Sequence, residues 1–520
     1  MKNPATFGID ALGRRVTDKG HGKPRKDRLV GMFYFLWLGE TGRHAPYDIS
    51  KITKNRPDAG YHPELWGGIG TYHHWGEPFY GYYYSDDEWV VRKHIKLLMQ
   101  ADIDFIFFDT TNAEIYEDNA KLVMSVIQEY IDLGFKAPKV MFYTNTHSGP
   151  TVQRIYDGIY KKNFCPGTWF IYDKKPLIIA IEEECSPECR EFFDIKKSQW
   201  PNEADKLGGW PWMDFTRPQR VFKNMQGEDE VINVSVAQHP QIMFGDSVLY
   251  GEKANRGRAY HNGENDPGPD AYVKGFNFAE QFERAIEADP PVVLVTGWNE
   301  WIAGRWQGPP ERPLRFVDCC NYEYSRDIEM MQGGYFDNYY TQLAHYVRKY
   351  KGCERSGEYS VGECAVFENV HDGNMKRDAE GYGTRYTSNS ERNAVISLKA
   401  ENLEDSILFT VEAKEPLSDD KGGDLMSVFI GCGDKRFVVT GGKLYSLSGF
   451  ERAPLCDIPC SVKGKSVSYE VKKSELEITG AAELYLKAAD SRSLYSSEED
   501  FYDKGDAFPL GRLNIVYRIK

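Results

Sequence analysis

Along the first two thirds of the chain, short unbroken apolar runs alternate with stretches in which apolar residues recur every three or four positions. The runs read as strands buried on both faces, and the stretches read as amphipathic helices. Strands are predicted at Leu29–Trp37, Phe105–Thr110, Lys139–Thr144, Leu177–Ile181, Trp210–Phe215, Val231–Val236, around Arg256–Tyr260, and at Val292–Thr296. Helices are predicted around Trp89–Leu98, Asn119–Leu133, Pro187–Phe193, Phe276–Glu287 and Tyr339–Tyr350. Strands and helices in this alternation predict an α/β fold, a (β/α)8 TIM barrel. The segment Phe244–Pro269, rich in Gly, Asn and Asp, is expected to be a long loop over its top.

Past Gly352 the pattern changes to short alternating strands separated by Gly, Asn and Asp, from Tyr359–Phe367 to Leu513–Ile519. That spacing predicts a smaller antiparallel β-sandwich. The expected division is residues 1–352 for the barrel with an N-terminal extension, and residues 353–520 for the sandwich. Tryptophan usage agrees, because all eleven lie between Trp37 and Trp306.

An apolar fraction of 41% and a charged fraction of 27% are globular values. No apolar run is long enough to span a membrane. The net charge of −14 argues against a nucleic-acid partner, whose phosphates need a basic surface. A neutral or weakly charged partner such as a carbohydrate fits better. The ten cysteines show no zinc-type spacing, so a structural zinc site is not expected; no cofactor is expected for catalysis. Residues 1–26 are polar and basic with no apolar leader core, which predicts a cytoplasmic protein, or a periplasmic or secreted one whose leader precedes this numbering.

In such a barrel the chemistry sits at the C-terminal ends of the strands. Those ends offer Tyr34, Trp37, Asp109, Asn112, Tyr143, Asn145, Glu182, Trp212, Asp214, Gln238 and His239, and then the run Trp298-Asn299-Glu300-Trp301. The segment Tyr72–Tyr84 adds seven aromatics and two histidines in thirteen residues, and reads as a ligand wall in which His74, Trp75 and Tyr82 take part. Sugar rings need aromatic faces for their C–H surfaces and paired polar groups for their hydroxyls. Cleaving a glycosidic bond additionally needs two carboxyl groups. Glu300 is the first, set by a buried run among tryptophans that would raise its pKa. The competing structural reading pairs it with Arg305. Asp109, delivered by Phe105-Ile-Phe-Phe, is the expected acid partner, with Glu182 and Asp214 behind it; the competing reading makes Asp109 a turn cap.

The segments Gly31-Met-Phe-Tyr34, Gly81-Tyr-Tyr, Asp104-Phe-Ile-Phe-Phe-Asp109 and Trp298-Asn-Glu-Trp301 resemble the glycoside hydrolase family 71/99-like barrels, which include endo-α-mannosidases and WbsX-like proteins. The resemblance implies a hydrolase in which Glu300 acts as a base on a sugar hydroxyl. The family's second catalytic Glu follows three residues later, where this chain has Ala303. The function expected is therefore a glycoside hydrolase cleaving a polysaccharide or glycan, or, given Ala303, a non-catalytic glycan-binding barrel. The second half resembles family 9 carbohydrate-binding modules. It lacks the tryptophans of a sugar platform, so a structural or calcium-bearing role is an equal expectation.

Overall fold

The computed structural model describes residues 4–373, 375–420 and 422–520; residues 1–3 of the expected N-terminal extension lie outside it. Eight parallel strands form a nearly closed barrel: β1 (Leu29–Tyr34), β2 (Phe105–Thr110), β3 (Lys139–Thr144), β4 (Leu177–Ala180), β5 (Asp194–Gln199), β6 (Gly209–Pro211), β7 (Asp229–Ser235) and β8 (Val292–Thr296). Hydrogen-bonded neighbours run β7-β8-β1-β2-β3-β4-β5-β6. Between β6 and β7 side chains replace the ladder. Asn233 Nδ2 donates to the Trp212 carbonyl at 2.9 Å, and Trp210 Nε1 donates to Glu230 at 3.0 Å.

The alternation of side chains explains the apolar runs. Phe33, Phe105, Phe107, Met141, Ile179 and Leu294 fill the interior, while Met32, Phe108, Phe142, Ile178 and Val295 pack outward against helices. Gly31 is required by this filling, since a Cβ there would lie 2.3 Å from the Phe105 ring.

Two strands differ from expectation. β5 was not predicted, because Asp-Ile-Lys-Lys-Ser-Gln is mostly polar and half-buried; Lys196 is held there by Glu230 at 2.8 Å. The strand expected around Arg256–Tyr260 is not in the barrel, and Tyr260–His261 instead forms a two-residue hairpin arm with Glu264–Asn265. A helix at Ser148–Ile155 was also missed, its period obscured by Gly149 and Pro150. Helices follow six of the eight strands: α1 (Glu88–Gln100), α2 (Glu117–Asp132), α3 (Ser148–Ile155), α4 (Pro187–Phe192), α5 (Phe276–Ala288) and α6 (Asn338–Lys351). The β5–β6 connection is a loop, and the β6–β7 connection holds the antiparallel strand Val221–Lys223.

Beyond α6 two antiparallel sheets face each other over one apolar core, with Leu398, Phe409 and Val411 on one side and Val428, Ile430 and Leu486 on the other. Thr6–Ile9 pairs with the last strand, Asn514–Ile519. The N-terminal extension thus touches both halves, since Arg14 also donates to the Lys274 and Asn338 carbonyls of the barrel. The halves interlock elsewhere too. The hairpin Asp378–Gly381/Thr384–Thr387 reaches the loop after β1, where Gly39 N donates to Tyr382 Oη at 2.8 Å and Tyr82 N donates to Tyr386 Oη at 2.7 Å. Among the described residues no helix is long and apolar enough to cross a membrane.

Candidate active site

The tip of β8 is fixed before it presents anything. Asn299 clamps the β1 end with two bonds to the Phe35 backbone, accepting from its N–H at 2.9 Å and donating to its carbonyl at 3.1 Å. Trp301 stacks on Trp75 with ring centroids 4.4 Å apart, and Trp75 Nε1 donates to the Glu300 carbonyl at 3.1 Å and to Asp327 Oδ2 at 2.9 Å. The segment Arg326–Glu329, from the long connection after β8, runs back beneath this tip. Asp327 accepts the Glu300 N–H, and Glu329 accepts from the Trp301 indole, from Tyr83 Oη at 2.7 Å and from His94 Nε2 at 2.9 Å. Two buried carboxyl groups on one segment thus hold the backbone and the flanking rings of Glu300.

Glu300 as a whole residue is 4% exposed. Its Oε2 accepts from Arg326 Nε at 3.2 Å and Nη2 at 2.8 Å, while among the described residues no group donates to its Oε1. Burial pushes its carboxyl well above the usual carboxylate range; Arg326 opposes this and the charges of Asp318 and Asp327 add to it. Arg326 Nη2 also donates to Asp318 Oδ1 at 3.0 Å, and Nη1 lies 3.1 Å from His239 Nδ1. Burial and Arg326 lower His239 to about 4, so its neutral imidazole accepts that bond. The guanidinium carbon sits 5.4 Å from the Trp212 ring centroid, where the aromatic face favours a cation. Burial pushes Asp327 up to about 7.

Asp109 lies within electrostatic reach of Arg326 and Asp318. Its Oδ1 accepts from Thr111 N at 3.0 Å and Thr111 Oγ1 at 2.7 Å. Burial raises its carboxyl, the Thr111 bonds lower it, and the charges of Asp318 and Arg326 reach it. Tyr72, edge-on to Trp37 at 5.9 Å, is raised by burial and by Asp318. Beyond Tyr72, Asn112 and Tyr116 a cavity of about 940 Å³ opens toward Arg154 and Lys162.

Of the residues expected to line the site, Glu300, His239 and Trp212 gather around Arg326, the Arg326 charge reaches Asp109, Trp37 packs on Tyr72, and Asn112 lines the cavity. Asn145 stands at the strand rim, half-buried and accepting from Ser198 Oγ at 2.8 Å. The structure places the others away from Arg326. Trp298, Asn299, Trp301 and Trp75 are at most 1% exposed and hold the tip of β8 from beneath. Tyr34 points outward, its hydroxyl bonded to His94 Nδ1 at 2.9 Å. Tyr143 is inside the barrel, donating to the Trp210 carbonyl at 2.9 Å. His74 is wedged between the Tyr82 and Tyr382 rings, where burial lowers it to about 3. Tyr82 donates to Asp48 at 2.6 Å. Asp214 is fully buried on Arg220, and Glu182 lies exposed on a short 3-10 turn. Arg305, the partner of Glu300 in the competing structural reading, bonds the Gly67 carbonyl instead.

Sequence reasoning missed Asp318, Arg326 and Asp327. They lie in a connection without regular periodicity, and the one available signal was Arg326-Asp-Ile-Glu329, three charges placed between a barrel strand and the last helix.

No family model matches the chain, and no curated protein matches it. The chain is similar to solved glycoside hydrolase family 99 structures. One is an endo-alpha-mannosidase from Bacteroides thetaiotaomicron in complex with Bis-Tris-propane: 16% identity over 63% of this chain and 98% of that one, TM-score 0.36. A second structure of the endo-alpha-mannosidase from that organism gives 14% identity over 63% and 99%, TM-score 0.37. A glycoside hydrolase-like protein gives 13% over 65% and 97%, TM-score 0.34. Likeness at this level adds nothing to the site, which stands on its own geometry.

Proposed function

We propose that the protein is a glycoside hydrolase cleaving a polysaccharide or glycan at the mouth of a (β/α)8 barrel, backed by a β-sandwich. One observation carries this reading. The buried carboxyl of Glu300 and the carboxylate of Asp318 take the same Arg326 nitrogen, beside Trp212, at the C-terminal ends of the strands. Hydrolysis of a glycoside needs such a pair, roughly 5 to 9.5 Å apart, one member protonated and the other ionised. Burial supports Glu300 as the protonated member, with Oε1 free to carry the proton. Trp37, Tyr72 and Trp212 supply ring faces, and Asn112, Asn145 and His239 supply hydroxyl partners.

A glycan-binding barrel without catalysis is favoured by a single observation. Ala303, where the resembled family has its second Glu, is 3% exposed and paired with His73, so no acid arises there. The second half is read as a structural support. Two of its buried acids, Asp424 and Asp490, are already neutralised by Arg452 and Arg392, which argues for arginine rather than calcium as their counter-charge.

The test is incubation of the purified protein with polysaccharides and aryl glycosides, reading released reducing ends and aryl groups. Release of reducing ends from polysaccharides is expected to disappear in Glu300→Gln, while aryl release from activated leaving groups is lowered less. Glycan binding by the wild type with no release from any substrate would replace hydrolysis by the binding reading.

A further inference from the structure

Resting on the hydrolase reading, we propose that Asp318 is the second catalytic carboxyl group, the nucleophile that works with Glu300 as acid and base. The geometry begins with Arg326 Nη2, which donates to Glu300 at 2.8 Å and to Asp318 at 3.0 Å. The two oxygens are therefore no farther apart than those bonds laid end to end. That upper limit excludes the wide spacing in which the second group activates an intervening water, and it fits a group that attacks the sugar directly.

Exposure separates the roles. The Glu300 side chain is 5% exposed and that of Asp318 is 35% exposed, so one is shielded as a proton carrier and the other is reachable from outside. Among the described residues Arg326 is the hydrogen-bond partner of the Asp318 carboxylate, leaving Oδ2 open to a ligand. Its charge reaches Glu300, Asp109, Tyr72 and His239, which come from four different strand ends or loops, so it stands where the barrel top converges.

The loop that carries Asp318 is anchored. Phe316, Cys319 and Cys320 are fully buried on either side, Gly245 N donates to the Phe316 carbonyl at 2.9 Å, and Cys320 N donates to the Tyr324 carbonyl at 2.8 Å. Competing carboxyls are committed elsewhere. Both Thr111 donors hold Asp109, Arg220 and Thr216 hold Asp214, and Asp327 spends both oxygens on the Glu300 N–H and the Trp75 indole.

The chemistry then balances in two steps. Asp318 attacks the anomeric carbon and forms an ester bond to it; the glycosidic C–O bond breaks, and the departing oxygen takes the proton of Glu300. Next a water gives a proton back to Glu300 while its oxygen bonds the anomeric carbon, and the ester breaks to free the Asp318 carboxylate. Net, one water is consumed and both residues are restored.

The experiment compares wild type, Asp318→Ala and Asp318→Asn on the aryl glycosides that the wild type cleaves, with and without sodium azide, and with circular dichroism and melting as folding controls. Both variants should fold and lose roughly 10²- to 10⁴-fold in kcat/KM. Azide should restore aryl release by Asp318→Ala and yield a glycosyl azide of inverted configuration, which a merely structural loss would not give. Folded variants that keep wild-type rates, or that lose activity with no azide product, overturn the assignment while the hydrolase reading stands. A wild type that cleaves nothing overturns both. Should Asp318→Ala fail to fold, the same criteria apply to Asp318→Asn, with mass detection of a covalent adduct from a 2-deoxy-2-fluoroglycosyl fluoride in the wild type: an adduct on Asp318 supports the role, and an adduct elsewhere or none refutes it.

Discussion

Asp214 and Glu300 are both buried carboxyls at barrel strand ends, and each is paired with an arginine, yet the pairs do different work. Asp214 takes the backbone N–H, Nε and Nη2 of Arg220, six residues away, and the N–H of Thr216 as well. Its lone pairs are spent locally, so the pair closes a turn. Glu300 meets an arginine that arrives from a later loop, engages one oxygen, and shares its guanidinium with Asp318 and His239. Saturation marks a structural ion pair, whereas a shared and incomplete one leaves a carboxyl that can still exchange a proton.

The largest expected effect breaks the second pair. Glu300→Gln keeps size and hydrogen-bonding shape but carries no transferable proton, so kcat/KM should fall roughly 10²- to 10⁴-fold while glycan affinity and melting temperature stay near wild type. The pH profile gives a second check. Because the folded-state pKa of Glu300 is raised, its protonated form persists past the ordinary carboxylate range. The activity that needs this acid is present below that raised value and lost as pH rises through it. Removing the opposing charge with Arg326→Met should carry the alkaline limb to still higher pH; a limb that does not move would detach Glu300 from the profile.

The mirror experiment is Arg220→Met. It strands Asp214, which has no exposure, without its counter-charge, and such losses cost about 3–5 kcal/mol. Thermal or denaturant unfolding should report that loss, while kcat/KM measured well below the melting temperature stays within a few fold. A larger activity loss than stability loss would erase the contrast between the two pairs.

A smaller effect is expected at the seam between the halves. The sequence suggested a clean cut near Gly352–Gly357, but the strand Thr6–Ile9 and the hairpin at 378–387 cross that boundary. Tyr386→Phe removes the acceptor of the Tyr82 N–H, a bond at 2.7 Å, and should cost on the order of 1 kcal/mol in urea unfolding. No change would mean that the hairpin does not clamp the aromatic loop.

What the sequence made legible follows from period. Strands β1, β2, β3 and β8 were readable because both faces are buried and their runs are almost wholly apolar. β5 was not, since Lys196 and Lys197 interrupt its apolar run, and the counter-charge that lets Lys196 be buried there, Glu230 at 2.8 Å, lies far along the chain. Glu300 and Asp109 stand out at the ends of apolar runs. Asp318 does not, because its loop has no period and its importance comes from an arginine eight positions later. The aromatic motif misled for a related reason: spacing shows that Trp298 and Trp301 leave β8 together, but their direction is set by His94, Tyr340 and Trp75, which no local pattern reveals.

Asp109 gives a small expected effect on activity and the finest test of the comparison, because it lies between the two types. Like Asp214 it has local donors, both from Thr111, yet like Glu300 it feels Arg326 and Asp318. The sequence alone favoured it as the acid. Two Thr111 donors on one oxygen stabilise the ionised form and oppose the effect of burial, which suits a group that binds a sugar hydroxyl better than one that gives up a proton. Asp109→Asn is thus expected to lower kcat/KM by about tenfold or less, by weaker hydroxyl binding. The loss should be equal on activated and natural leaving groups, with the alkaline limb of the profile unmoved. An acid would behave otherwise, since activated leaving groups need little protonation and would be spared. If Asp109→Asn flattens the alkaline limb and spares the activated substrates, Asp109 takes the acid role and Glu300 reverts to a buried scaffold carboxyl of the Asp214 kind.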